Sequence, residues 1–122
     1  MEIRESAENY FETILMLKRR IGRVRSIDIV NEMGFSKPSV SYAMKQFRMN
    51  GYITGDEEVY ITLTPKGAEI AERTYERHQV LTKMLTALGV DESIAKHDAC
   101  RIEHDLSEES FACIKRHMEK NR

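Results

Sequence analysis

Residues 97–106 read HDACRIEHDL and bring a cysteine, a glutamate and two histidines into one short stretch. Thiolate, carboxylate and imidazole are the side chains that bind transition metals. On an α-helix, positions i, i+3 and i+4 share a face. The spacing therefore predicts that Cys100, Glu103 and His104 project together, with His97 one turn earlier on the same side. These side chains alone do not complete the coordination of an ion, so the rest must come from elsewhere in the chain. His78 is one candidate, and Asn9 with Glu12, spaced to face one way on a first helix, are the others. Ligands spread over early and late helices would let an ion tie two parts of the chain together. Taken singly, a helical histidine is usually a surface or packed side chain and a cysteine a small apolar one. Cys113 and His117, four apart in the last helical stretch, read as structural.

The elements that position these residues follow from the apolar spacing. ESAENYFETILMLKRR, residues 5–20, places Tyr10, Phe11, Ile14, Leu15 and Leu17 at helical intervals, with Gly22 as the stop. Ser26 is expected to cap a short helix that runs to Met33 and breaks at Gly34. Ser36 caps the next helix, which carries Pro38 in its first turn, turns Val40, Ala43, Met44 and Phe47 inward and stops at Gly51. Two short helices joined by a glycine turn predict a helix-turn-helix. YIT, the turn GDEE and VYITLT then alternate as a β-hairpin, with Val59, Ile61 and Leu63 on one side, which makes the unit a winged helix. Thr64 and Pro65 open a long helix to about Leu88 with Ile70, Tyr75, Leu81, Leu85 and Leu88 in its stripe; Asp91 caps the helix of Cys100, and Ser107 caps a last one. The expected fold class is mainly α, an N-terminal winged helix-turn-helix followed by an all-helical dimerisation domain, divided as residues 1–63 and 64–122. Three helices make a small independent core, so a symmetric homodimer through them covers apolar surface economically.

Composition bounds the partners. The chain has 122 residues with 32% charged and 41% hydrophobic residues, two prolines and no tryptophan, which describes a soluble helical protein. No apolar run approaches the roughly 20 residues that span a bilayer, and the MEIRESAENYF start is acidic and amphipathic rather than signal-like. A cytoplasmic protein with no membrane partner and reduced cysteines is expected. The net charge of −1 is not the footprint of a nucleic-acid binder, but its distribution is uneven. Lys18, Arg19, Arg20, Arg23 and Arg25 fall between Glu12 and Asp28, and Lys37, Lys45 and Arg48 between Met33 and Gly55, with no acid in either interval. On the helix after Gly34, Ser36, Lys37, Pro38, Ser39, Ser41, Tyr42 and Lys45 form the outward set, suited to base edges and phosphates of double-stranded operator DNA. The same face, left solvated, would serve a winged helix used for protein contact. The acids Asp56, Glu57 and Glu58 at the wing tip argue against phosphate contact there.

SAENYFETILML, KPSVSYAMKQF, TLTPKG, ERHQVL and CRIEHDLS, in this order, resemble the DtxR/MntR family of metal-dependent transcriptional repressors over roughly residues 5 to 110. The resemblance implies a winged-helix DNA-binding domain followed by a helical dimerisation domain. It is nearer the shorter, manganese-sensing branch, without the SH3-like third domain of the iron-sensing one. Carried over by position, Glu12, His78, Glu103 and His104 match the manganese branch, whereas Cys100 is the residue of the iron branch. Asn9 stands where the two branches carry aspartate or methionine; its carbonyl can bind a hard ion but adds no charge. Thr82 replaces a glutamate of the iron branch's second site, and Lys96 a histidine, with His97 adjacent. The implied metal ligands are Asn9, Glu12, His78, Cys100, Glu103 and His104, and the implied cofactor is a divalent transition metal, Fe(II) or Mn(II), with Zn, Co and Ni able to substitute in vitro. The thiolate favours iron over manganese, while the carboxylates suit hard ions.

The function expected is a metal-dependent DNA-binding repressor controlling iron or manganese homeostasis, not an enzyme. Two rivals start from the same residues. CRIEH resembles the H-x-x-E-H peptidase motif with cysteine for the first histidine, which would make Glu103 a general base, but it leaves the winged helix without a role. A metal-independent or thiol-redox-sensing winged-helix regulator would use Cys100 as its sensor.

Overall fold

A computed structural model of the chain describes residues 3–55 and 59–120. Among the described residues it contains α1 (Glu5–Ile21), α2 (Ser26–Met33), α3 (Lys37–Met49), β1 (Ile53–Thr54), β2 (Thr62–Leu63), α4 (Pro65–Ala87), α5 (Glu92–Ile102) and α6 (Glu108–Lys120). The fold is the mainly α winged helix-turn-helix with a following helical region that the apolar spacing predicts. Two compact units are formed, Met1–Glu72 and Arg73–Arg122, with the division inside the continuous α4. The acidic wing tip, Asp56, Glu57 and Glu58, lies outside the described residues.

The first unit is organised by aromatic packing. Phe11 is fully buried, with its ring 4.7 Å from Phe47 and 5.3 Å from Tyr52, and Tyr10 sits 5.5 Å from Phe47. One helical face of α1 thus meets the inner face of α3 and the start of the hairpin. Ile14, Ile29, Val40, Met44, Ile53 and Ile61 fill the space between them. Local signals set the helix ends. Ser36 accepts a hydrogen bond from the Ser39 backbone N–H at 3.3 Å and so caps α3, while Gly34 takes the left-handed conformation, φ 72°, that lets the chain turn between α2 and α3.

The structure departs from the sequence reading at three positions. Ser26 is the first residue of α2 rather than its cap: Arg25 holds the cap position, and the Asp28 carboxylate accepts from the Arg25 backbone N–H at 2.9 Å. A carboxylate at this place supplies charge as well as an acceptor to the helix N-terminus. Val59 is 58% exposed, beyond the pairs of Ile53 with Leu63 and Thr54 with Thr62 and the bridge between Val24 and Ile61. Leu88 is 75% exposed because α4 ends at Ala87 and Leu88 already belongs to the turn at Gly89.

The hairpin is knitted to α4 at one point. Thr64 donates its backbone N–H to Tyr52 O at 3.0 Å and its hydroxyl to Gly51 O at 2.7 Å, and the same hydroxyl oxygen accepts from the Gly67 N–H at 3.2 Å. Gly67 lies so close that a Cβ there would collide with the Tyr52 carbonyl. Gly67→Ala is therefore expected to destabilise the protein by about 3 kcal/mol in urea denaturation. Gly34→Ala, strained only by its positive φ, should cost about 1–2 kcal/mol. A smaller loss for Gly67→Ala than for Gly34→Ala would contradict the close approach.

Candidate metal centre and DNA-facing helix

In the second unit, Glu103 is 1% exposed. Its Oε2 lies 3.1 Å from His78 Nδ1, and its Oε1, which makes no hydrogen bond, lies 3.4 Å from His104 Nε2. A carboxylate removed from water needs a counter-charge or a full set of donors. Among the described residues, the ion-pair partners of this carboxylate are the two imidazoles alone. Arg77 is used otherwise: its Nη1 donates to the carbonyls of Glu103 at 3.1 Å and Leu106 at 2.6 Å, and its guanidinium lies 5.2 Å from the Phe111 ring centroid. It fixes the backbone of the turn and leaves the carboxylate free to face an ion. Two imidazoles and a buried carboxylate with an unsatisfied oxygen fit a divalent transition metal in the chemistry of their donors.

Glu103 keeps helical dihedrals (φ −56°, ψ −25°) and donates its N–H to Ala99 O at 2.9 Å, so the helical spacing from Cys100 to Glu103 is preserved. Helix α5 ends at Ile102, so Glu103 is its C-cap and His104 lies in the turn that follows. Glu103 and His104 are drawn inward, with side-chain exposures of 0% and 2%, whereas Cys100 on the last turn of α5 is exposed. His97 is also exposed, 72% at its side chain. Asn9 and Glu12 lie on α1 of the first unit, both half-buried. Thr82 spends its hydroxyl within its own helix, donating to His78 O at 2.7 Å. Sequence spacing gave no sign of Arg77, which stands among other charged residues in AERTYERHQV.

In the first unit, the outward set on α3 is where the sequence puts it. Ser36, Lys37, Pro38, Ser39, Ser41, Tyr42 and Lys45 are all exposed, with Tyr42 at 68%. The Ser36 hydroxyl donates to Ser39 Oγ at 2.8 Å, which orders the helix N-terminus. The opposite face carries Val40, Met44 and Phe47 into the core. Tight apolar seating of one face fixes which residues the other presents.

Comparison with known proteins decides what kind of chain this is. Residues 2–58 match the family described as iron dependent repressor, N-terminal DNA binding domain, and residues 64–122 match iron dependent repressor, metal binding and dimerisation domain. The transcriptional regulator MntR of Escherichia coli O6:H1 is 33% identical over 118 residues, which span 97% of this chain and 76% of that protein. The chain belongs to the iron-dependent repressor family.

An HTH-type transcriptional regulator of Methanocaldococcus jannaschii is 31% identical over 95% of this chain and 94% of its own length. Among solved structures, the metal-dependent transcriptional regulator MtsR superposes with a TM-score of 0.82 at 20% identity, covering 93% of this chain and 53% of that one. The crystal structure of T. acidophilum IdeR gives 0.80 at 21% identity over 98% and 55%. The chain thus spans about half the length of these solved chains, and the likeness at this identity is one of fold. Members of the family are DNA-binding transcriptional regulators, not enzymes, which removes the peptidase reading of CRIEH.

In this repressor the Arg77 clamp has a measurable weight. Arg77→Met keeps the length and the contact with Phe111 but removes both donors. The variant is expected to lose about 2 kcal/mol in urea denaturation and to lose amide protection across residues 103–106. Unchanged protection there would show that the turn holds itself.

Proposed function

We propose that this chain is a homodimeric, metal-dependent repressor that binds a palindromic operator through α3 and controls iron or manganese homeostasis in the cytoplasm. The observation that carries the reading is the buried Glu103 carboxylate between His78 and His104, in the part of the chain that matches a metal-binding and dimerisation domain. Among the described residues no helix is long and apolar enough to cross a membrane. We take residues 1–63 as the DNA-binding domain and 64–122 as the metal-binding and dimerisation domain, and Asn9, Glu12 and Cys100 as further ligands beside His78, Glu103 and His104. The support for Asn9, Glu12 and Cys100 is their sequence position. Cys100, on an exposed turn, would join only after a change of rotamer or local backbone.

A bound divalent ion supplies the positive charge that a buried carboxylate and two neutral imidazoles can share. Glu103 holds its oxygens ready for it, His78 and His104 present ring nitrogens, and Arg77 keeps the turn from relaxing. On α3, Lys37 and Lys45 meet phosphates, while Ser39, Ser41, Pro38 and Tyr42 face base edges. Coupling then takes the form of a population shift. Ligands that gather only in the DNA-competent arrangement make metal raise DNA affinity, and by linkage DNA raises metal affinity by the same factor. The exposed thiols of Cys100 and Cys113 favour one second reading, a thiol-based regulator that binds DNA without metal.

Fluorescence anisotropy on a labelled fragment from upstream of the protein's own gene, at fixed salt, separates the two. Binding is expected with Mn²⁺ or anaerobic Fe²⁺ and not after chelation, and Glu103→Ala or His78→Ala should remove the metal stimulation while urea midpoints show a folded protein. Metal binding should weaken as pH falls through the histidine range, because an imidazole must be neutral to ligate. Equal DNA binding in chelated protein, lost with peroxide, would replace the metal reading with the thiol one.

A further inference from the structure

The basic run after α1 does not act as a unit. Arg19 pairs with Glu72 and Arg20 with Glu32, both at 2.7 Å, so these two charges are neutralised. Arg23 and Arg25 are placed differently. Val24 between them is buried and forms an antiparallel bridge with Ile61, whose N–H donates to Val24 O at 2.8 Å. Side chains alternate across an extended strand, so burying Val24 and Ile61 sends Arg23, Arg25 and Tyr60 together to the outer face of the wing. There the two guanidinium carbons lie 5.1 Å and 4.9 Å from the Tyr60 ring centroid, and Arg25 Nη2 donates to the Tyr60 hydroxyl at 3.3 Å. Among the described residues neither guanidinium is drawn into an ion pair with a carboxylate. The Tyr60 phenol is held below its ordinary range by hydrogen bonding to Arg23 and then Arg25.

Two unpaired like charges held against one exposed ring are ordered for an anionic partner. The surface is continuous with the recognition helix, because Arg25 shares a cavity of about 330 Å³ with Lys37 and Ser41 of α3 and with Ile27 and Val30 of α2. We propose that Arg23 and Arg25, positioned by Tyr60, form a second DNA contact that grips backbone phosphates flanking the site read by α3. This rests on the DNA-binding reading above and extends it to residues outside the recognition helix. A guanidinium suits phosphate through its forked donors. Stacking on Tyr60 lowers the conformational freedom each arginine would lose on binding, as preorganisation does in general.

Phosphate contacts carry no sequence information and release counterions, so they are recognised by their salt dependence. The test is anisotropy with Mn²⁺ in excess, across a salt series, on two labelled duplexes: the promoter fragment and one of random sequence. Arg23→Gln and Arg25→Gln, each present in both protomers of the dimer, are each expected to reduce the slope of log K against log salt by about 1.8, and about 3.6 together. The loss should be the same on both duplexes. Tyr60→Ala should weaken both by about two- to fivefold relative to Tyr60→Phe, which keeps the ring. Wild-type slopes in the double variant overturn the proposal, and a loss confined to the promoter fragment overturns the phosphate assignment. Equal affinity of the two Tyr60 variants removes the tyrosine from it. Failure of the wild-type protein to bind either duplex is a separate outcome, one that overturns the DNA-binding reading and this contact with it.

Discussion

The Glu103 carboxylate is the constraint on which the regulatory half of the molecule depends. Held out of water with one oxygen unsatisfied, it is costly to keep ionised unless a cation or a set of donors faces it. Among the described residues, the groups paired with it are the imidazoles of His78 and His104. Arg77 is turned onto main-chain carbonyls, and the two imidazoles can offer charge only by taking up protons. In the proposed function an ion from outside supplies the positive charge that faces this carboxylate. Dependence on that ion makes the site usable as a sensor.

The DNA-binding half rests on a different kind of interaction, the packing of aromatic rings. Phe11, Phe47, Tyr10 and Tyr52 lock α1, α3 and the hairpin together, and this fixes which face of α3 is outermost. The Val24 and Ile61 bridge does the same for the wing, turning two arginines and a tyrosine outward as a group. Charge is then sorted by pairing. Arginines at the end of α1 are tied to Glu72 and Glu32, and those on the wing lie against the Tyr60 ring instead. A near-zero net charge is therefore compatible with a locally basic surface.

Much of this was legible in the sequence. Helix starts were written by Ser36, Asp91 and Ser107, each of which caps the helix it precedes, and the apolar spacing placed Phe11, Ile14, Val40, Met44 and Phe47 inward. The outward set on α3 followed from the same periodicity, since a helix with one buried face has a determined opposite face. The types of residue in CRIEH, with His78, indicated metal chemistry before any geometry, because thiolate, carboxylate and imidazole are the side chains that bind transition metals.

Tertiary structure decided what period alone does not encode. Helical spacing carries from Cys100 to Glu103, the C-cap of α5, yet burial separates them: Glu103 and His104 are drawn inward while Cys100 is exposed. The role of Arg77 depends on carbonyls 26 and 29 residues away along the chain, and no local pattern reports such a contact. Arg23, Arg25 and Tyr60 are likewise joined only by a bridge between distant strands. Sequence by itself determined the elements, their faces and the chemical types at the site, because those are local properties of side chains and backbone. Which of those side chains meet was left to long-range packing, where the burial of one residue fixes the direction of its neighbours.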